Sequence, residues 1–208
     1  VIGKENDFYH VSDPVLYEQV TIGYDELKRV RYAKGTYPPY GKMYWIADPA
    51  SVTEKHLKRQ IIKAIRFTAF NMVEIPRFVP FFGVNGIRYL AKNMRHWEKK
   101  FGARKAALNL AQVVRMLEEI GTGGAGFRFM YAAFLHEAAT ILGRPELLDF
   151  EKRMTAIGNL WREFATEAAR KFKNRGENIC SYDDLADKII AIADAEEKLF
   201  RELRATIK

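Results

Sequence analysis

Residues 121–126 read Gly121-Thr122-Gly123-Gly124-Ala125-Gly126, a literal G-x-G-x-x-G. Placed after a strand and before a helix, this spacing marks a dinucleotide-binding α/β fold, because glycines let a pyrophosphate approach bare N–H groups at a helix start. The preceding residues exclude that reading. Ala106, Ala107, Leu110, Val113, Val114 and Leu117 recur at helical period, so a helix over 103–120 leads into the glycines. The glycine run therefore joins two helices, and the fold around it is α-rich. The local physics survives. Thr122 can cap the following helix, and Arg128 adds charge in its first turn. Thr122, Gly123, Gly124 and Arg128 are thus candidate ligands for a phosphate, carboxylate or other oxyanion. The plain alternative is a tight interhelical turn with a glycine C-cap.

Working outward, a helix from about residue 125 carries Phe127, Met130, Phe134, Ala138 and Ile141 inward and stops at Gly143. Pro145 suits the first turn of the next, which carries Phe150, Met154, Ile157, Trp161, Phe164 and Ala168. After a polar break at 174–178, Ser181 and Asp184 have capping-box spacing, and Leu185, Ile189, Ile192, Leu199 and Leu203 form a last stripe. In the other direction the pattern predicts a helix over 84–101. A further one has a Ser51–Glu54 capping box, then Leu57, Ile61, Ile65, Ala69 and Met72, with Pro76 as its stop. Between these two, Pro76-Arg77-Phe78-Val79-Pro80-Phe81-Phe82-Gly83 is a proline-bracketed aromatic loop. It reads either as a plug beneath the helices or as a wall of an apolar pocket.

The first fifty residues differ. Val1-Ile2-Gly3 reads as the end of a strand already in progress, and 8–12, 17–22 and 42–47 read as short strands. So few short strands need covering helices or a further part of the sheet. The expectation is an α+β, mostly α chain. Antiparallel strands and one short helix fill 1–50, and an antiparallel bundle-like helical domain fills 51–208.

Composition narrows the classes of function. Of 208 residues, 48% are hydrophobic and 13% aromatic, which excludes a disordered chain. No run of uncharged apolar residues is long enough to span a membrane, and the charged opening does not read as a signal peptide. A single cysteine, Cys180, excludes a disulfide framework and fits a reducing cytoplasm. The net charge of +8 favours acidic partners. Arg88, Lys92, Arg95 and Lys99 recur every three or four residues, with Lys100, Arg104 and Lys105 beyond them. That helix face can dock an acidic protein or simply be solvated. No aromatics interleave with it as stacking platforms, which argues against nucleic acid.

Catalytic candidates are few. Cys180 precedes a helix start, which lowers a thiol pKa, but Asp183 and Asp184 raise it again and no histidine is near in sequence. His136-Glu137 opens a zinc motif that fails at Thr140, and His56 and His96 lie on charged faces. No nucleophile–base–acid set, metal site or resident cofactor is visible.

Two stretches together resemble the butirosin biosynthesis protein H family. One is Val1-Ile2-Gly3 with Phe8-Tyr9-His10-Val11-Ser12-Asp13-Pro14. The other runs from Gly121 through Phe127-Arg128-Phe129-Met130-Tyr131-Ala132-Ala133-Phe134-Leu135-His136-Glu137-Ala138. Members pair a papain-like cysteine region with a C-terminal helical domain of unknown function. The resemblance implies that residues 1–50 end the catalytic region and that Asp13 is its aspartate. The histidine would lie shortly before Val1 and the cysteine further upstream, so the chain by itself would perform no thiol chemistry. The implied activity transfers an acyl group from a carrier-protein thioester to an amine of an aminoglycoside. The acidic carrier would meet Arg88, Lys92, Arg95 and Lys99. Its phosphopantetheine phosphate, or the small amine acceptor, would meet the glycine loop. A papain-like peptidase and a non-enzymatic module for an acidic protein are the alternatives.

Overall fold

The computed structural model describes residues 1–13, 16–36, 38–45, 51–75, 78–177 and 179–207. The chain divides into two units, Val1–Ser51 and Val52–Lys208.

In the first unit three short strands, β1 (Gly3–Glu5), β2 (Phe8–Val11) and β3 (Val20–Gly23), form an antiparallel sheet in chain order. Lys4 pairs with Tyr9, and Tyr9 with Ile22. The β1–β2 link is Asn6-Asp7, with Asn6 at φ +53°, a left-handed conformation that asparagine enters more readily than most residues. Helix α1 (Tyr24–Arg31) follows at once. Its Gly23 N–H donates to the Glu26 carboxylate at 3.1 Å, which fixes the first turn. The strand expected at 42–47 does not form over 42–45, and 46–47 lie outside the described residues. The local amides are used otherwise. Gly41 N–H donates to the Arg31 carbonyl and Lys42 N–H to that of Pro39, a turn rather than a ladder.

The second unit is helical: α2 (Glu54–Val73), α3 (Gly83–Met94), α4 (Trp97–Phe101), α5 (Ala103–Glu118), a single 3-10 turn (Ala125–Phe127), α6 (Arg128–Leu142), α7 (Leu147–Lys173) and α8 (Tyr182–Thr206). Helices α7 and α8 form its centre. Cross-contacts from Arg153 to Glu202, Trp161 to Glu196 and Lys188 to Glu167 march in opposite directions along them, so the pair is antiparallel. Arg66 reaches the Ile207 carbonyl and Glu74 pairs with Arg201, while Arg88 and Arg95 pair further back along α8. Thus α2 and then α3 follow α8 end to end, both antiparallel to it. The junction is tight at Gly83, where φ is +54° and a Cβ would stand 2.3 Å from the Met72 carbonyl oxygen. Helices α5 and α6 cover α7. The core follows most of the predicted stripes, with Ile61, Ile65, Leu110, Phe164, Leu185, Ile189, Leu199 and Leu203 all buried, but Leu57, Phe127 and Met130, expected to face inward, are exposed. Burial at this depth stabilises by roughly 1.5–3 kcal/mol for each large side chain.

Three boundaries differ from the expected ones. Helix α2 is capped by Thr53, whose hydroxyl accepts from His56 N–H, not by Ser51. The expected helix over 84–101 is interrupted at Arg95 and His96, and α4 restarts at Trp97, a buried ring set edge-on to Tyr182. Phe78, Phe81 and Phe82 are exposed, so they do not plug the helices; Pro76 and Arg77 lie outside the described residues.

Candidate functional site

The glycine loop closes on itself. Thr122 is buried; its hydroxyl donates to the Leu117 carbonyl at 2.6 Å and accepts from Gly124 N–H at 3.2 Å. It therefore ties the loop to α5 instead of capping α6. Ala125 N–H donates to the Glu118 carboxylate at 3.0 Å, so the anion beside the loop is the protein's own. Gly124 sits at φ +87°, and a Cβ there would stand 2.8 Å from Arg162 Nη2 and 3.1 Å from Glu118 Oε2. Only glycine allows that closure. A free anion here would have to displace Glu118.

Arg128 opens α6 from Phe127, itself a left-handed residue at φ +70°. That turn aims Arg128 inward rather than along the glycine N–H groups. Its Nε donates to Glu196 Oε1 at 2.9 Å, its Nη2 to Glu196 Oε2 at 3.1 Å, and its Nη1 to the Gly126 carbonyl at 2.9 Å. Glu196 is fully buried, and Trp161 Nε1–H donates to its Oε1 at 2.7 Å. The guanidinium also lies 5.0 Å from the centre of the Trp161 ring. A buried carboxylate needs such compensation, because desolvating an ion costs several kcal/mol unless it is paired and hydrogen-bonded.

Beside this cluster lies a cavity of about 220 Å³. Met72, Phe127, Met154 and Phe200 give it apolar walls, and Thr68, Tyr131, Arg128 and Glu196 are its polar residues. Burial raises the Tyr131 phenol well above its ordinary value, with Thr68 acting the other way, so the hydroxyl stays protonated. The buried Tyr131 oxygen interacts with the Thr68 side chain, outside good hydrogen-bond geometry.

The remaining candidates lie elsewhere. Arg88 pairs with Asp194 at 2.5 Å and Glu197 at 2.6 Å, and Arg95 with Asp183 at 3.0 Å and with Asp187. Both thus bind α3 to α8, while Lys92 and Lys99 are exposed. Asp13 belongs to the first unit, exposed just beyond β2, and its carbonyl accepts from Leu16 N–H. Cys180 lies 3.2 Å from Glu167 Oε2, and its pKa is raised by that hydrogen bond first and by burial second. A thiol so held is a poor nucleophile. Among the described residues no cluster of His, Cys, Asp and Glu can hold a metal, and no helix is long and apolar enough to cross a membrane.

Glu196 was not among the candidate residues, although its signal was present. It stands four residues after Ile192 and three before Leu199, inside the apolar stripe of α8. A carboxylate at an inward position needs a buried partner.

A family described as a domain of unknown function (DUF4872) matches residues 25–203, and the chain belongs to it. No curated protein and no solved structure matches the chain.

Proposed function

We propose that the helical unit is the substrate-binding portion of a cysteine-dependent acyltransferase of the butirosin biosynthesis protein H type. The observation that carries this reading is the cavity beside Gly126, whose guanidinium is fixed in advance by Glu196 and Trp161. A binding site of this kind holds its polar group without side-chain ordering at the moment of binding. The exposed Lys92 and Lys99, with Lys100, Arg104 and Lys105 following, suit an acidic carrier protein. In this reading Asp13 orients a histidine, and neither that histidine nor the nucleophile is Cys180 or a neighbour of it. A cysteine thiolate attacks the donor carbonyl, the C–S bond to the carrier breaks, and the carrier leaves as a thiol. An amine then attacks the enzyme thioester, an amide forms and the cysteine returns.

The test uses the protein as its gene encodes it, supplied with a carrier-protein thioester and an amine. Thiol release coupled to amide formation is expected, and Asp13→Asn should lower turnover by about 10³–10⁴-fold. Cleavage of a peptide with the thioester left intact would replace this reading with a peptidase. Absence of both activities would sink it.

A further inference from the structure

We propose that the cavity beside Gly126 is an acyl pocket: it takes a short apolar chain that ends in an uncharged carbonyl, and it selects against amines and carboxylates. Size comes first. A cavity of about 150 Å³ accepts benzene, so the 220 Å³ of this open pocket has room for about eight or nine non-hydrogen atoms. The walls come second. Met72 and Met154 are unbranched and adapt to chains of differing shape, and Phe127 and Phe200 add flat apolar surface.

Polarity sets the head group. A guanidinium has five N–H donors, and Arg128 uses three, two on Glu196 and one on Gly126. Two remain for a ligand oxygen. Charge decides which oxygen. Arg128 is already neutralised by Glu196, so a carboxylate would bring a second negative charge to one positive one. An ammonium would meet the guanidinium, and the Glu196 oxygens already accept three hydrogen bonds. A thioester or amide carbonyl brings an acceptor with no net charge. Tyr131 supports the same ligand. Its buried hydroxyl is a protonated donor held only by a poorly aligned contact with the Thr68 side chain, so it can turn to a ligand oxygen.

The proposal rests on the preceding reading only for the source of the acyl group; the pocket's chemistry stands on the side chains. The test is calorimetric titration of the 208-residue chain with hexanamide, hexanoate and hexylamine, which differ in the head group alone. Hexanamide should bind at least about tenfold more tightly than the other two. Tyr131→Phe keeps the ring and should weaken hexanamide by about two- to tenfold. Equal or tighter binding of hexylamine or hexanoate overturns the proposal. So does no binding of hexanamide at millimolar concentration, or unchanged affinity in the Tyr131→Phe protein. Acyl transfer by the whole protein without hexanamide binding would sink the pocket and leave the acyltransferase; hexanamide binding without acyl transfer would do the reverse.

Discussion

Glu196 occupies a position of α8 where the heptad-like spacing of Ile189, Ile192, Leu199 and Leu203 would place an aliphatic side chain, and Arg128 and Trp161 make that substitution tolerable. Arg128→Met would strand a fully buried carboxylate and should cost about 3–5 kcal/mol. Removing both charges, in Arg128→Met with Glu196→Leu, should recover most of that loss, because a packed apolar pair often matches a buried ion pair. Denaturant unfolding of the single and double variants measures both. A double variant as unstable as the single one would mean that the charge pairing is not what holds this region together. Arg128 stands out in the sequence from its place after the glycines. Its pairing does not, because Glu196 is sixty-eight positions away and nothing local joins them.

At the scale of elements, what could be read depended on whether the cause was local. The Ser181–Asp184 capping box is present as its spacing predicts, with the Ser181 hydroxyl accepting from Asp184 N–H and the carboxylate accepting in return. The apolar stripes of α5, α7 and α8 follow from periodicity in the same way. The break between α3 and α4 has no proline or glycine to announce it; it follows from Trp97 turning inward beside Tyr182. The basic spacing reads as a docking surface or a solvated face, yet Arg88 and Arg95 each meet two carboxylates of α8 that no local pattern could pair with them. That seam makes a prediction in pH. Arg201 first, and Arg88 next, hold the Glu197 carboxyl below its ordinary 4.5. A depressed carboxylate stabilises above its unfolded value, and the contribution is lost as pH falls through the folded value. The stability difference between the parent and Glu197→Gln should therefore be constant near neutral pH and shrink below about pH 4.5. Thermal unfolding across pH 3–7 checks this; a difference that grows in acid would contradict it.

At the scale of the molecule, the chain divides into a small sheet-bearing unit and a helical unit, and the family match over residues 25–203 begins within the first and covers nearly all of the second. The mostly helical class followed from one local judgement, that a helix rather than a strand precedes the glycine run. The site did not follow so directly. The glycines pointed to an anion at the loop, and the loop's amides instead hold Thr122 and Glu118, while the open space lies beside Gly126 and Arg128. That the helical unit holds a ligand in this space is the central claim. Methyl-labelled methionine gives the direct measurement. The six methionines include Met72 and Met154 in the cavity wall, whereas Met43, Met94 and Met116 do not line it. On titration with hexanamide, the methyl resonances of Met72 and Met154 should shift and saturate while those of Met43, Met94 and Met116 stay in place. Unmoved Met72 and Met154 signals, or equal shifts at all six, would contradict the account.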